Sequence, residues 1–82
     1  MMLHRQGRLA EAEQAYVEVL ETVPAHVQAL HLSGVVAMQT GRPEVGVERI
    51  KRALEIDPDD PNAHADLARG LEALGRLAEA AT

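Results

Sequence analysis

The stretch Gly7-Arg8-Leu9-Ala10-Glu11-Ala12 returns without a change as Gly75-Arg76-Leu77-Ala78-Glu79-Ala80. Midway between the two copies stands Gly41-Arg42-Pro43-Glu44-Val45-Gly46, a looser version of the same start. Gly7, Gly41 and Gly75 are evenly spaced and set a period of 34. Pro24 and Pro58 are separated by the same interval, so a second kind of punctuation fixes the same register. A fixed period in this range marks a chain built from one supersecondary unit stacked on copies of itself.

Between these glycines and prolines the apolar residues recur every three or four positions, the spacing of one helix face. Leu9, Ala12, Ala15, Tyr16, Val19, Leu20 and Val23 define a helix that stops at Pro24. The spacing predicts a second helix over Ala25 to Thr40, with Val27, Leu30, Gly34, Ala37 and Met38 on one stripe. Gly41 is placed to adopt the left-handed conformation that closes it. Pro43 suits the first turn of a third helix, where its missing N–H is no loss, and Glu44 lies near the positive end of the helix dipole. Val47, Ile50, Ala53 and Leu54 carry that stripe to Asp57-Pro58. Asp60 is the expected N-cap of a fourth helix and Pro61 its first residue. Ala63, His64, Leu67, Ala68, Leu71 and Leu74 follow up to Gly75. On this reading Gly75 closes the fourth helix, the repeated hexapeptide opens a fifth, and Met1 to Gln6 is the tail of an earlier one. No segment alternates with a period of two, so no strand is assigned.

These marks resemble the tetratricopeptide repeat (TPR). That family has a 34-residue helix–turn–helix unit with a large residue, then leucine-glycine, an aromatic, an alanine, a second aromatic and a proline. In the middle repeat the places fall on Leu30, Ser33-Gly34, Ala37, Gly46, Ile50 and Pro58. In the first, Ala12, Tyr16 and Pro24 match the second helix of the unit; in the last, Leu67-Ala68, Leu71, Gly75 and Ala80 match, with Ala68 replacing glycine. The resemblance implies an all-α fold: antiparallel helix pairs stacked as a short right-handed solenoid of about two and a half repeats. It divides a single domain, residues 1–82, into a partial repeat at 1–24, a complete one at 25–58 and a partial one at 59–82. Leu9, Val19 and Leu20 near one end, and Leu71, Leu74 and Leu77 near the other, are left partly uncovered. The expectation is a piece of a longer array, or a chain that completes itself by homo-oligomerisation through an end.

Composition removes several function classes. The 82 residues carry 8 basic and 13 acidic side chains, a formal net charge of -5, with no run of Lys or Arg. That balance lacks the electrostatic footprint of a nucleic-acid or anionic-membrane binder. There is no cysteine, which excludes disulfides, thiolate metal sites and cysteine nucleophiles. Tyr16 is the only aromatic residue, too little for base stacking. The longest uncharged stretch, Val23 to Gly41, is interrupted by Pro24, His26, His31 and other polar residues, too polar to span a bilayer. Met1-Met2-Leu3-His4-Arg5 has no apolar signal core, so the cytoplasm is the expected location. His4, His26, His31 and His64 offer no pair at helical spacing, His26 and His31 being five apart, so no metal or other cofactor is expected. Glu11, Glu13, Glu18, Glu21, Glu44, Glu48, Glu55 and Glu72 read as solvated charge on polar helix faces. Ser33 reads as a packing residue inside a helix. No phosphate loop, nucleophile elbow or triad is present, and the chain is read as no enzyme.

The resemblance places the first helix of each repeat along a concave groove that holds a peptide segment or partner helix. Carried onto this sequence, the groove residues are Gln28, His31, Leu32, Val35, Met38 and Gln39, then Asn62, Ala65, Asp66, Arg69 and Glu72. One wall is apolar with a histidine; the other is charged, with Arg69 its only cation. The subclass that clamps a C-terminal carboxylate uses several lysines, arginines and asparagines, which Arg69 and Asn62 do not reproduce. The asparagine ladder of sugar-transferase arrays is likewise absent, since Leu32 and Asp66 stand where it would run. A non-enzymatic protein–protein interaction module is the implied function. The alternatives are a substrate-recruiting fragment of a larger enzyme, such as a glycosyltransferase, or a self-associating structural module.

Overall fold

Where the chain turns is decided by three short connectors, and between them it is helical throughout. The computed structural model describes the backbone of residues 2–81 and the side chains of residues 8–76. The side chains of His4 and Leu77 lie outside the described residues. There are four helices over that backbone: α1 (Met2–Thr22), α2 (Val27–Gln39), α3 (Pro43–Ile56) and α4 (Pro61–Ala81). They stack in chain order as antiparallel neighbours, α2 against α3 most extensively, then α4 on α3 and α1 on α2, with a small contact between α2 and α4.

The α2–α3 turn forms as its residues dictate. Gly41 takes φ 82°, a region that side chains with a Cβ disfavour. The Arg42 N–H then donates to the Ala37 carbonyl at 2.8 Å and the Gly41 N–H to Met38 at 3.2 Å, which satisfies carbonyls the helix end leaves free. Arg42, held out of the helical region by the proline that follows, leads into Pro43 as the first residue of α3. At the start of α4, Asp60 Oδ1 accepts from the backbone N–H groups of Asn62 at 2.9 Å and Ala63 at 3.3 Å.

Three expectations need correction. The second helix starts at Val27 rather than Ala25, because the His26 Nδ1 caps it, accepting from the Ala29 N–H at 3.1 Å. Neither Gly7 nor Gly75 interrupts a helix, so α1 and α4 run straight through them and there is no fifth helix over the described residues. The reason lies two residues on: Leu77 and Leu9 stand where Pro43 stands in the middle repeat, so nothing forces the residue between out of the helical region.

The core lies where α2 and α3 cross. Leu30 and Ala37 of α2, Ile50 and Ala53 of α3 and Ala63 of α4 are buried. The crossing is very close: a Cβ on Gly34 would stand 2.8 Å from Ile50 Cγ1 and 2.9 Å from the Gly46 carbonyl oxygen. Ser33 is fully buried in the same seam and donates its hydroxyl to the Leu30 carbonyl at 3.2 Å, as its reading as a packing residue requires. No helix among the described residues is long and apolar enough to cross a membrane.

Candidate functional site

The helical phase of α2 puts Val27, Gln28, His31 and Leu32 on one side of its first two turns. The α3–α4 connector is carried across that side by the packing of α4 on α3. Together they enclose a cleft of about 390 Å³ lined by Val27, Gln28, His31, Leu32, Asp57, Asp60 and Asn62. Val27 and Leu32 supply apolar wall; the remaining residues supply amide, imidazole and carboxylate groups.

His31 is the fixed point of this cleft. Its side chain is largely buried, and Nε2 donates to Asp66 Oδ2 on α4 at 2.7 Å. Nδ1 faces the Asp60 carboxylate at 3.9 Å. Asp66 in turn lies 3.7 Å from the Arg69 guanidinium, which is largely exposed. The imidazole therefore bridges the two helices expected to line a groove, with carboxylates on both sides of it. At the far side of the connector, His64 Nε2 donates to the Pro58 carbonyl at 2.6 Å, which ties the first turn of α4 to the segment before it.

Of the residues expected to line the groove, Gln28, His31, Leu32 and Asn62 meet in the cleft, and Asp66 joins them through His31. Arg69 lies one turn further along α4 beside Asp66. Met38 lies elsewhere: its sulfur is packed at Gly70, where a Cβ would come within 2.7 Å of it. Met38 also borders a separate cleft of about 320 Å³ with Gly41, Pro43, Ala73 and Arg76. Val35 is half-buried on α2 and lines neither cleft, Gln39 and Ala65 are exposed, and Glu72 pairs with Arg76. Asp57 and Asp60 are cleft residues that sequence reasoning assigned only to helix termini. The register marks Asp60, one full period after His26, as a helix entry, but no signal in the sequence places it or Asp57 in the cleft.

A second polar cluster corrects another expectation. Glu13 is not solvated charge on a free face. It accepts from Arg42 Nη2 and, at 3.2 Å, from Arg49 Nη1, which ties α1 to the α2–α3 turn and to α3. Arg49 also donates to the Ser33 carbonyl at 3.4 Å. The Arg42 hydrogen bond, with Arg49 and the charge of both guanidinium groups behind it, holds the Glu13 carboxyl below its ordinary range against the opposing effect of burial. No group of three or more potential metal ligands occurs among the described residues.

A family model described as Tetratricopeptide repeat matches residues 3–61 and again residues 31–82. No curated protein matches the chain.

Proposed function

We propose, since the chain belongs to the tetratricopeptide repeat family, that it binds a peptide segment or partner helix along α2 and α4, with the His31 cleft as the recognising end. Repeats of this family are generally protein–protein interaction modules, and typically non-catalytic ones. The observation that carries the reading is the cleft itself. Residues from two successive first helices, Gln28, His31 and Leu32 on one and Asn62 on the other, converge on about 390 Å³. Such a space takes a side chain of an extended or helical ligand, with amide and carboxylate groups to orient it and Val27 and Leu32 to cover its stem. Arg69, beyond the cleft and largely exposed, offers an acidic group of the ligand a contact further along α4.

The test is selection from a random peptide display library on the wild-type chain, followed by titration of the selected sequences into wild type, His31→Ala and Arg69→Glu. Binding weakened tenfold or more by His31→Ala, with helicity retained in circular dichroism, supports the cleft as the recognising end. Selected peptides that bind both variants as well as wild type sink it.

A further inference from the structure

Two further surfaces are related by the repeat register, the first of which shares Gln28 and Leu32 with the His31 cleft. Tyr16 and Val19 of α1, with His26, Gln28, Ala29 and Leu32, line an open cleft of about 300 Å³ between α1 and the start of α2. One period later Tyr16 and Val19 become Ile50 and Ala53, which are 0% and 1% exposed with α2 packed on α3. Val19 is 37% exposed. The α1–α2 cleft is thus the seat that a helix of the α2 kind fills one repeat further on. At the opposite side of the fold, α4 is a helix of that kind. Its Leu67, Ala68 and Leu71 stand one period after Ser33, Gly34 and Ala37, which lie buried in the seam between α2 and α3. Ser33 and Ala37 are wholly buried, whereas Leu71 is 47% exposed.

We propose that these surfaces belong together, so that α4 of one copy of the chain seats in the α1–α2 cleft of a second copy, head to tail. The α2–α3 interface displaced by one period is the template. It sets Leu67, Ala68 and Leu71 of one copy against Ala12, Tyr16 and Val19 of the next, completing a helix pair in register. Ala68 and Ala12 replace Gly34 and Gly46 at the crossing, so this pair stands slightly further apart, with room for Tyr16 in place of the smaller Ile50. The contact between successive first helices changes in character. Within the chain it is made by His31 with Asp66 and by Met38 at Gly70; between copies the same register pairs Ala65 with Leu32 and brings Glu72, with its Arg76 partner, to the place of Met38. Because α4 runs on as a helix through Gly75, the chain does not fold back over this face of α4 within the described residues. Donor and acceptor surfaces differ, so association continues beyond a dimer into a ring or an open series. This inference does not rest on ligand binding at the His31 cleft, although Gln28 and Leu32 border both that cleft and this seat.

The test is sedimentation velocity over a wide concentration range on wild type, Val19→Glu and Leu71→Glu. Both substitutions are at exposed positions, and circular dichroism checks that each variant keeps its helicity. Wild type is expected to form species larger than a dimer as concentration rises, and each variant alone to stay monomeric. Mixed in equal amounts, the variants retain one good surface each and are expected to give a 1:1 dimer that grows no further. A wild type that stays monomeric at millimolar concentration overturns the proposal. So does a dimer that survives Val19→Glu alone, the mark of an α4-to-α4 pair, or one that survives Leu71→Glu alone, or a mixture that remains monomeric.

Discussion

Glu13 shows how far a residue's surroundings can depart from its place on a helix. Its neighbours in sequence make it a surface carboxylate, yet Arg42 and Arg49, far along the chain, converge on it. Its folded pKa lies below the ordinary 4.5. The stabilisation is therefore present above that value and is lost as pH falls through the lower, folded value. Glu13→Gln is expected to lose about 1 kcal/mol of unfolding free energy at neutral pH, the scale of a partly exposed charged hydrogen bond. The difference from wild type should shrink toward zero as urea unfolding is repeated at progressively lower pH. A difference that stays constant across the carboxylate range would show that shape, and not charge, is what Glu13 supplies. Gly34 acts through space alone. An added Cβ meets Ile50 at 2.8 Å and, at 2.9 Å, the backbone oxygen of Gly46, which has no rotamer by which to move aside. Gly34→Ala should destabilise by about 1–3 kcal/mol, the range for overpacking; a midpoint of urea unfolding equal to that of wild type would contradict this.

At the scale of the element, two glycines in the same phase of the repeat have opposite roles. Gly41 has φ 82° and ends α2. Gly41→Ala forces a Cβ into the left-handed region and is expected to destabilise by about 1–2 kcal/mol. Gly75 lies inside α4 with nothing within 4 Å of where its Cβ would be. Gly75→Ala is expected to stabilise by about 0.5–1 kcal/mol through helix propensity and a less disordered unfolded state. Thermal unfolding of the two variants should shift in opposite directions, and a destabilising Gly75→Ala would mean that α4 does break there. The pair also shows which parts of the fold were legible. Helix faces, the Gly41 turn and the Asp60 cap could be read because each depends on residues within a few positions. Gly75 was misread because the glycine recurs while the proline two residues on does not. His26 as a cap was missed because histidine is an uncommon one, although Asp60 one period later marks the position. In the cleft, Gln28, His31 and Leu32 share a face by helical phase. Asp57 and Asp60 come to that face only through the path of a connector across α2, which no local spacing encodes.

For the whole molecule, the order of contacts sets the order of opening. α2 is flanked by α1 and α3 and also touches α4, and it contributes Ala29, Leu30, Val36 and Ala37 to the core. α1 has no fully buried side chain among those described; it rests on α2 and reaches α3 through Glu13. α4 buries Ala63 and Gly70, and its other described side chains are half-buried or exposed. In a stack where each helix is held only by its neighbours, the outer helices open without the inner pair, while the inner pair opens only with everything else. Native-state hydrogen exchange on wild type at low concentration should therefore show the slowest amides in α2 and α3, around Leu30, Ala37, Ile50 and Ala53. Amides of α1, and those of α4 after Gly70, should exchange at least tenfold faster. Removing the outer tie at Glu13 sharpens the contrast: Glu13→Gln should speed exchange in α1 while leaving α4 beyond Gly70 unchanged. Equal protection of all four helices would mean that the chain opens as one cooperative unit, and the nearest-neighbour account would then fail.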